Sequence, residues 1–124
     1  MKSFLLFVGV FLSVNLFSQT DISFKETKHS FGKIQKDIPA TFVFTYTNKA
    51  TKPVVIEFAN AECGCTKPTY SNAPIPVGKS STIKVTYNAA SMGTFKKNVD
   101  VKFAHSNQPY TLTITGEVIE VKKK

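Results

Sequence analysis

Cys63 and Cys65, held one residue apart by Gly64, are the side chains in this 124-residue sequence best suited to soft-metal or redox chemistry. In an extended backbone both would project from one face with their side chains roughly 6–7 Å apart. A disulfide needs β-carbons about 3.8 Å apart, so a local bond demands a bend, and Gly64 relaxes the backbone where that bend would lie. Three chemistries fit the motif. The pair can be structural, as a local disulfide or as packed thiols. It can be a redox or partner-linking thiol pair. It can also hold a soft ion, Cu(I) above all, between two thiolates. A four-ligand zinc site has only His29, His105 and Met92 to draw on, and nothing in their spacing brings them to the cysteines.

No other grouping suggests a reaction. His29 and His105 are singletons beside turn-like stretches, where a histidine is usually solvated. Neither a nucleophile elbow nor a triad signature occurs. Glu57, Glu62, Asp100, Glu117 and Glu120 fall at outward strand positions, and the glycines stand singly in turns rather than in a phosphate-cradling loop. The expectation is a protein that is not an enzyme.

Charge narrows the partners. All 16 basic residues are lysines, set against 8 acidic residues, for a formal charge of +8. Bidentate recognition of phosphates and bases is the work of arginine, which is absent, and the lysines are dispersed apart from Lys122-Lys123-Lys124. Dispersed lysine guards strand edges in β proteins. Nucleic acid is therefore not an expected partner.

The elements that must position the cysteines begin after a leader. Phe4 to Leu16 is almost wholly apolar behind Met1-Lys2, too short for a span of about 20 residues, and Ser18 precedes polar Gln19-Thr20-Asp21. Residues 1–18 read as a secretory signal peptide, leaving 19–124 as one domain with no expected membrane span after cleavage. Removing Lys2 leaves 15 lysines against the same 8 acidic residues, a charge of +7. An even cysteine count in an exported chain favours oxidation.

Along 19–124 the hydrophobic period is two. Phe42, Phe44 and Tyr46 alternate with threonines. Ile83, Val85 and Tyr87 form a second run, Phe95 to Phe103 a third, and Tyr110, Leu112 and Ile114 a fourth. Val54, Ile56 and Phe58 form a fifth, and Ile22 to Glu26 and Ser30 to Ile34 are shorter candidates. About seven strands in about 100 residues is the arithmetic of an immunoglobulin-like antiparallel β-sandwich. Its expected core is Phe42, Phe44, Tyr46, Ile56, Phe58, Ile83, Val85, Val99, Val101, Leu112 and Ile114. Cys63 and Cys65 should then lie at a strand end, leading into the turn-rich connection Lys67 to Lys79.

Phe31-Gly32-Lys33-Ile34, Phe42 to Asn48, Cys63-Gly64-Cys65-Thr66-Lys67-Pro68, Pro74 to Gly78, Gly93-Thr94-Phe95 and Leu112 to Val118 follow one another in an order that resembles the bacterial "domain of unknown function 1573" proteins. These are small exported Ig-like domains, similar to the Hydin/ASPM/major-sperm-protein sandwiches. The resemblance spans essentially all of 19–124 and implies a seven-stranded Ig-like fold and export, but no reaction. One departure is Gln35-Lys36-Asp37, which lacks the glycine expected at that turn.

These readings point to a non-enzymatic binding or structural module, exported to the periplasm or outside the cell. It would engage a protein or cell-envelope polymer through sheet edges or end loops. The alternative is a small thiol- or Cu(I)-handling protein working through Cys63-Gly64-Cys65.

Overall fold

Alternation of apolar and polar residues builds two four-stranded sheets in the computed structural model, which describes residues 21–121. The eight strands are β1 (Ile22–Phe24), β2 (Lys28–Gln35), β3 (Ala40–Asn48), β4 (Ile56–Ala61), β5 (Thr66–Tyr70), β6 (Ser80–Tyr87), β7 (Gly93–Phe103) and β8 (Tyr110–Ile119). One sheet runs β1-β3-β6-β5 and the other β2-β8-β7-β4. No helix among the described residues is long and apolar enough to cross a membrane. Residues 1–18, expected from the sequence to be a signal peptide, and Lys122 to Lys124 lie outside the described residues.

The inner faces meet in one core. Phe44, Tyr46, Ile83, Val85 and Tyr87 come from the first sheet, and Ile56, Val99, Val101, Phe103, Leu112, Ile114 and Val118 from the second. Tyr46 meets Phe103 edge-on at 5.3 Å, while Tyr87 stacks on Phe95 at 4.0 Å, so aromatic contacts tie the sheets together at two levels.

The sandwich departs from the sequence-based expectation in four places. β5 is an added strand inside the stretch expected to be a connection. Pro68 is tolerated there because β5 is an edge, where an N–H can face solvent instead of a neighbouring strand. β2 pairs with β8 in parallel, Lys28 opposite Thr113 and Gln35 opposite Ile119, so the sandwich is not purely antiparallel. Phe58 is not in the core. The β4–β7 register slips between Ile56 and Phe58, and Phe58 falls opposite Lys102 on the outer face; a bulge shifts alternation by one residue and so turns side chains over. Phe42 is only half-buried, under the ring of His29.

The first run of the chain serves both sheets. β1 pairs with β3 in one sheet, and after Lys25 to Thr27 the same segment crosses to pair with β8 in the other. The turn after β2 takes its left-handed residue from Asp37, at φ 67°, in the segment where a glycine was expected.

Candidate functional site

The cysteines lie where the chain passes from one sheet to the other. β4 is an edge of one sheet and β5 an edge of the other, and Glu62-Cys63-Gly64-Cys65 is the link between them. Glu62 holds the end of β4 in place. Its backbone N–H donates to the Asn98 carbonyl at 3.3 Å, and its Oε1 accepts the Asn98 N–H at 3.0 Å. The link then turns: the Thr66 N–H donates to the Cys63 carbonyl at 3.3 Å, and the Asn88 N–H donates to the Cys65 carbonyl at 2.9 Å. That turn brings the two Cα atoms to 5.2 Å, and Cys63 and Cys65 are joined as a disulfide. Extended geometry alone would have kept the sulfurs apart; the bend at Gly64 brings them together.

Both cysteines are half-buried, but unequally placed. Cys65 packs against the hydrophobic core, whereas Cys63 is not among the residues packed there. Gly64 is exposed, and a β-carbon on it would meet nothing within 4 Å. Thr66, only 4 % exposed, places its hydroxyl 3.7 Å from Cys65 Sγ and 3.8 Å from Cys63 Sγ. Sequence reasoning missed Thr66 as a partner of the motif. In the structure both sulfurs are committed to the disulfide. Among the described residues no three His, Cys, Asp or Glu side chains gather as a metal site.

The two histidines are separated. His29 is not a solvated loop residue but part of β2, stacked on Phe42 at 3.7 Å with Phe31 edge-on at 4.9 Å. His105 is exposed in the β7–β8 connection, in the left-handed region at φ 70°.

His105 also borders a cleft of about 500 Å³ at the end of the sandwich away from the cysteine link. Its walls include Asp21, Lys49, Lys52, His105 and Tyr110, drawn from the start of β1 and the β3–β4 and β7–β8 connections. Asn48 fixes one wall. It continues the inward series Phe42, Phe44, Tyr46 on β3 and is 1 % exposed. Its Nδ2 donates to the carbonyls of Lys52 and Ile75, both at 2.9 Å, and its Oδ1 accepts the Ala50 N–H at 2.7 Å. That inward parity was the signal that could have picked out Asn48. Burial pushes the Tyr110 phenol above its ordinary value, opposed by a hydrogen bond with the Ile22 backbone and aided by the charge of Asp21.

The fold is shared with solved structures at low identity. The PapD-like domain 7 (ASH/PapD-like) of human CEP192 aligns with a TM-score of 0.72 and 11 % identity, covering 93 % of this chain and 99 % of that one. A protein of unknown function from Porphyromonas gingivalis W83 aligns at 0.67 and 9 %, covering 77 % and 46 % respectively. The secreted serine protease VesC from Vibrio cholerae aligns at 0.62 and 11 %, covering 82 % of this chain but 24 % of the protease. This chain therefore spans less than half of the last two proteins. No curated protein matches it by sequence. The fold is PapD-like and immunoglobulin-like, and since the profile described as "Protein of unknown function (DUF1573)" matches residues 22–118, the chain belongs to that family.

Proposed function

We propose that this protein is an exported, non-enzymatic binding module of the cell envelope or extracellular space. The apolar run Phe4 to Leu16 behind Lys2 supports export.

The observation that carries the binding role is the cleft of about 500 Å³ at the end of the sandwich. Connections displayed by a rigid β scaffold are the usual place for recognition. The four strand edges suit it less. β1 has three residues, β5 carries Pro68, β2 is bulged around Gly32, and β4 slips in register at Glu57. Short, proline-bearing and bulged edges discourage an added strand. Lys49 and Lys52 outnumber Asp21 around the cleft, which favours a protein or envelope polymer that presents carboxylates or phosphates.

Cell fractionation combined with affinity capture tests both halves of the reading. The full chain should be recovered outside the cytoplasm and retain a partner from intact cells, and the Lys49→Glu/Lys52→Glu variant should lose that partner. Equal retention by the variant would rule out the cleft, and cytoplasmic recovery would rule out export.

A further inference from the structure

The Cys63–Cys65 disulfide spans the link between the two sheets. A disulfide stabilises chiefly by closing a loop in the unfolded chain, and this one closes a loop with a single intervening residue. The link is already held by backbone hydrogen bonds from Glu62, Thr66 and Asn88, which do not need the sulfurs. What the sulfurs do have is asymmetry and a shared donor. Cys65 is packed on the core, Cys63 is not, the approach over Gly64 is open, and one buried hydroxyl lies beside both.

We propose that Cys63–Cys65 is a thiol-exchange site that accepts two electrons from a dithiol on another exported protein. A thiolate of that dithiol attacks Cys63 Sγ. A partner–Cys63 disulfide forms as the Cys63–Cys65 bond breaks, and the electron pair leaves on Cys65 Sγ. The Thr66 hydroxyl, 3.7 Å from that sulfur, donates a hydrogen bond to the departing thiolate. The partner's second thiolate then attacks the partner's own sulfur in the mixed disulfide and releases Cys63 as a thiolate. The partner ends with a disulfide, the pair ends as two thiols, and the two protons lost by the partner's thiols are taken up through water. Cys63 is the sulfur attacked, Cys65 the sulfur that leaves first, and Thr66 a positioning residue. The site lies at the far end of β4 from the cleft and does not depend on it; it shares with the proposed function only the exported compartment.

The test uses the full chain with dithiothreitol under native conditions, followed by alkylation and mass measurement. The disulfide should be reduced in the folded state. Thr66→Val should slow that reduction about tenfold, the effect of losing one hydrogen bond to an anion, and Thr66→Ser should restore it. With oxidised glutathione as probe, Cys65→Ser should form the adduct on Cys63 faster than Cys63→Ser forms it on Cys65. A disulfide that resists dithiothreitol until urea unfolds the chain would overturn the proposal. So would equal adduct rates in the two single-cysteine variants. A folded Thr66→Val protein reduced at the wild-type rate would overturn the role given to Thr66.

Discussion

Phe95 and Gly116 face each other across the β7–β8 ladder so closely that a β-carbon at Gly116 would lie 2.8 Å from the ring's Cζ and 3.0 Å from the Gly32 carbonyl oxygen. The ring has little room to retreat, because it is stacked on Tyr87. Gly116→Ala should therefore lower unfolding free energy by about 2 kcal/mol through overpacking. Urea denaturation with an unchanged m-value is the appropriate measurement.

Asn48 satisfies three backbone groups from inside the sandwich. Asn48→Ala leaves two carbonyls and an N–H without that partner, and should lower stability by about 3 kcal/mol. Hydrogen exchange should show faster opening at Ala50 than at residues of β6, since the loss is centred on the β3–β4 connection.

Tyr46 should make the fold alkali-sensitive. Burial raises its phenol above the ordinary 10.0, with a hydrogen bond to Ser81 partly opposing. Below pH 10 both states keep the proton, so the stabilisation is fully present. Above it the unfolded chain ionises first, and stability falls as pH rises towards the folded value. Tyr110 shifts in the same direction. Tyr46→Phe should flatten the decline in urea midpoint above about pH 10, leaving the part due to Tyr110.

Replacing both Cys63 and Cys65 with Ser should leave a folded protein. The chain-entropy account assigns so small a ring about 1.5 kcal/mol at most. A circular dichroism melt checks this, with the β-sheet spectrum preserved at room temperature and only a modest fall in Tm.

Asp37 adopts φ 67° with an exposed side chain. Asp37→Gly relieves that conformation at the expense of a more flexible unfolded chain, and should raise stability by about 0.5 kcal/mol. A higher urea midpoint is the expected result. A lower one would mean that the Lys36–Asp37 ion pair outweighs the backbone term.

Most of the sandwich was legible because alternation reports burial directly. Phe44, Tyr46, Ile83, Val85, Val99, Val101, Leu112 and Ile114 lie in the core where the period of two put them. Alternation fails where the ladder is irregular: Phe58 follows a register slip that no local pattern records, so its parity pointed inward while its side chain faces Lys102 outside. β5 was hidden by Pro68, since a proline forbids a central strand but not an edge, and edge position is a property of the whole topology.

The candidate site was legible in part. Cys63 and Cys65 were identifiable from residue type and spacing, and their joining is consistent with the bend that Gly64 permits. Thr66 and the unequal setting of the two sulfurs were not, because they depend on where β4 leaves one sheet and β5 enters the other. The cleft was invisible in sequence for a similar reason: Asp21, Lys49 and His105 are far apart in the chain and are gathered by the sandwich.

The parallel pairing of β2 with β8 has a consequence for synthesis. The ribosome releases the chain from its amino end, so β2 exists long before the strand it must pair with. While β8 is still being made, Phe31 and Ile34 have no finished sheet to pack on, and β7 lacks its neighbour as well. Neither β2 nor β7 can complete its pairing until β8 has been made. Closure of this sheet is therefore a late, long-range step that follows β8 rather than one that grows strand by strand from β2.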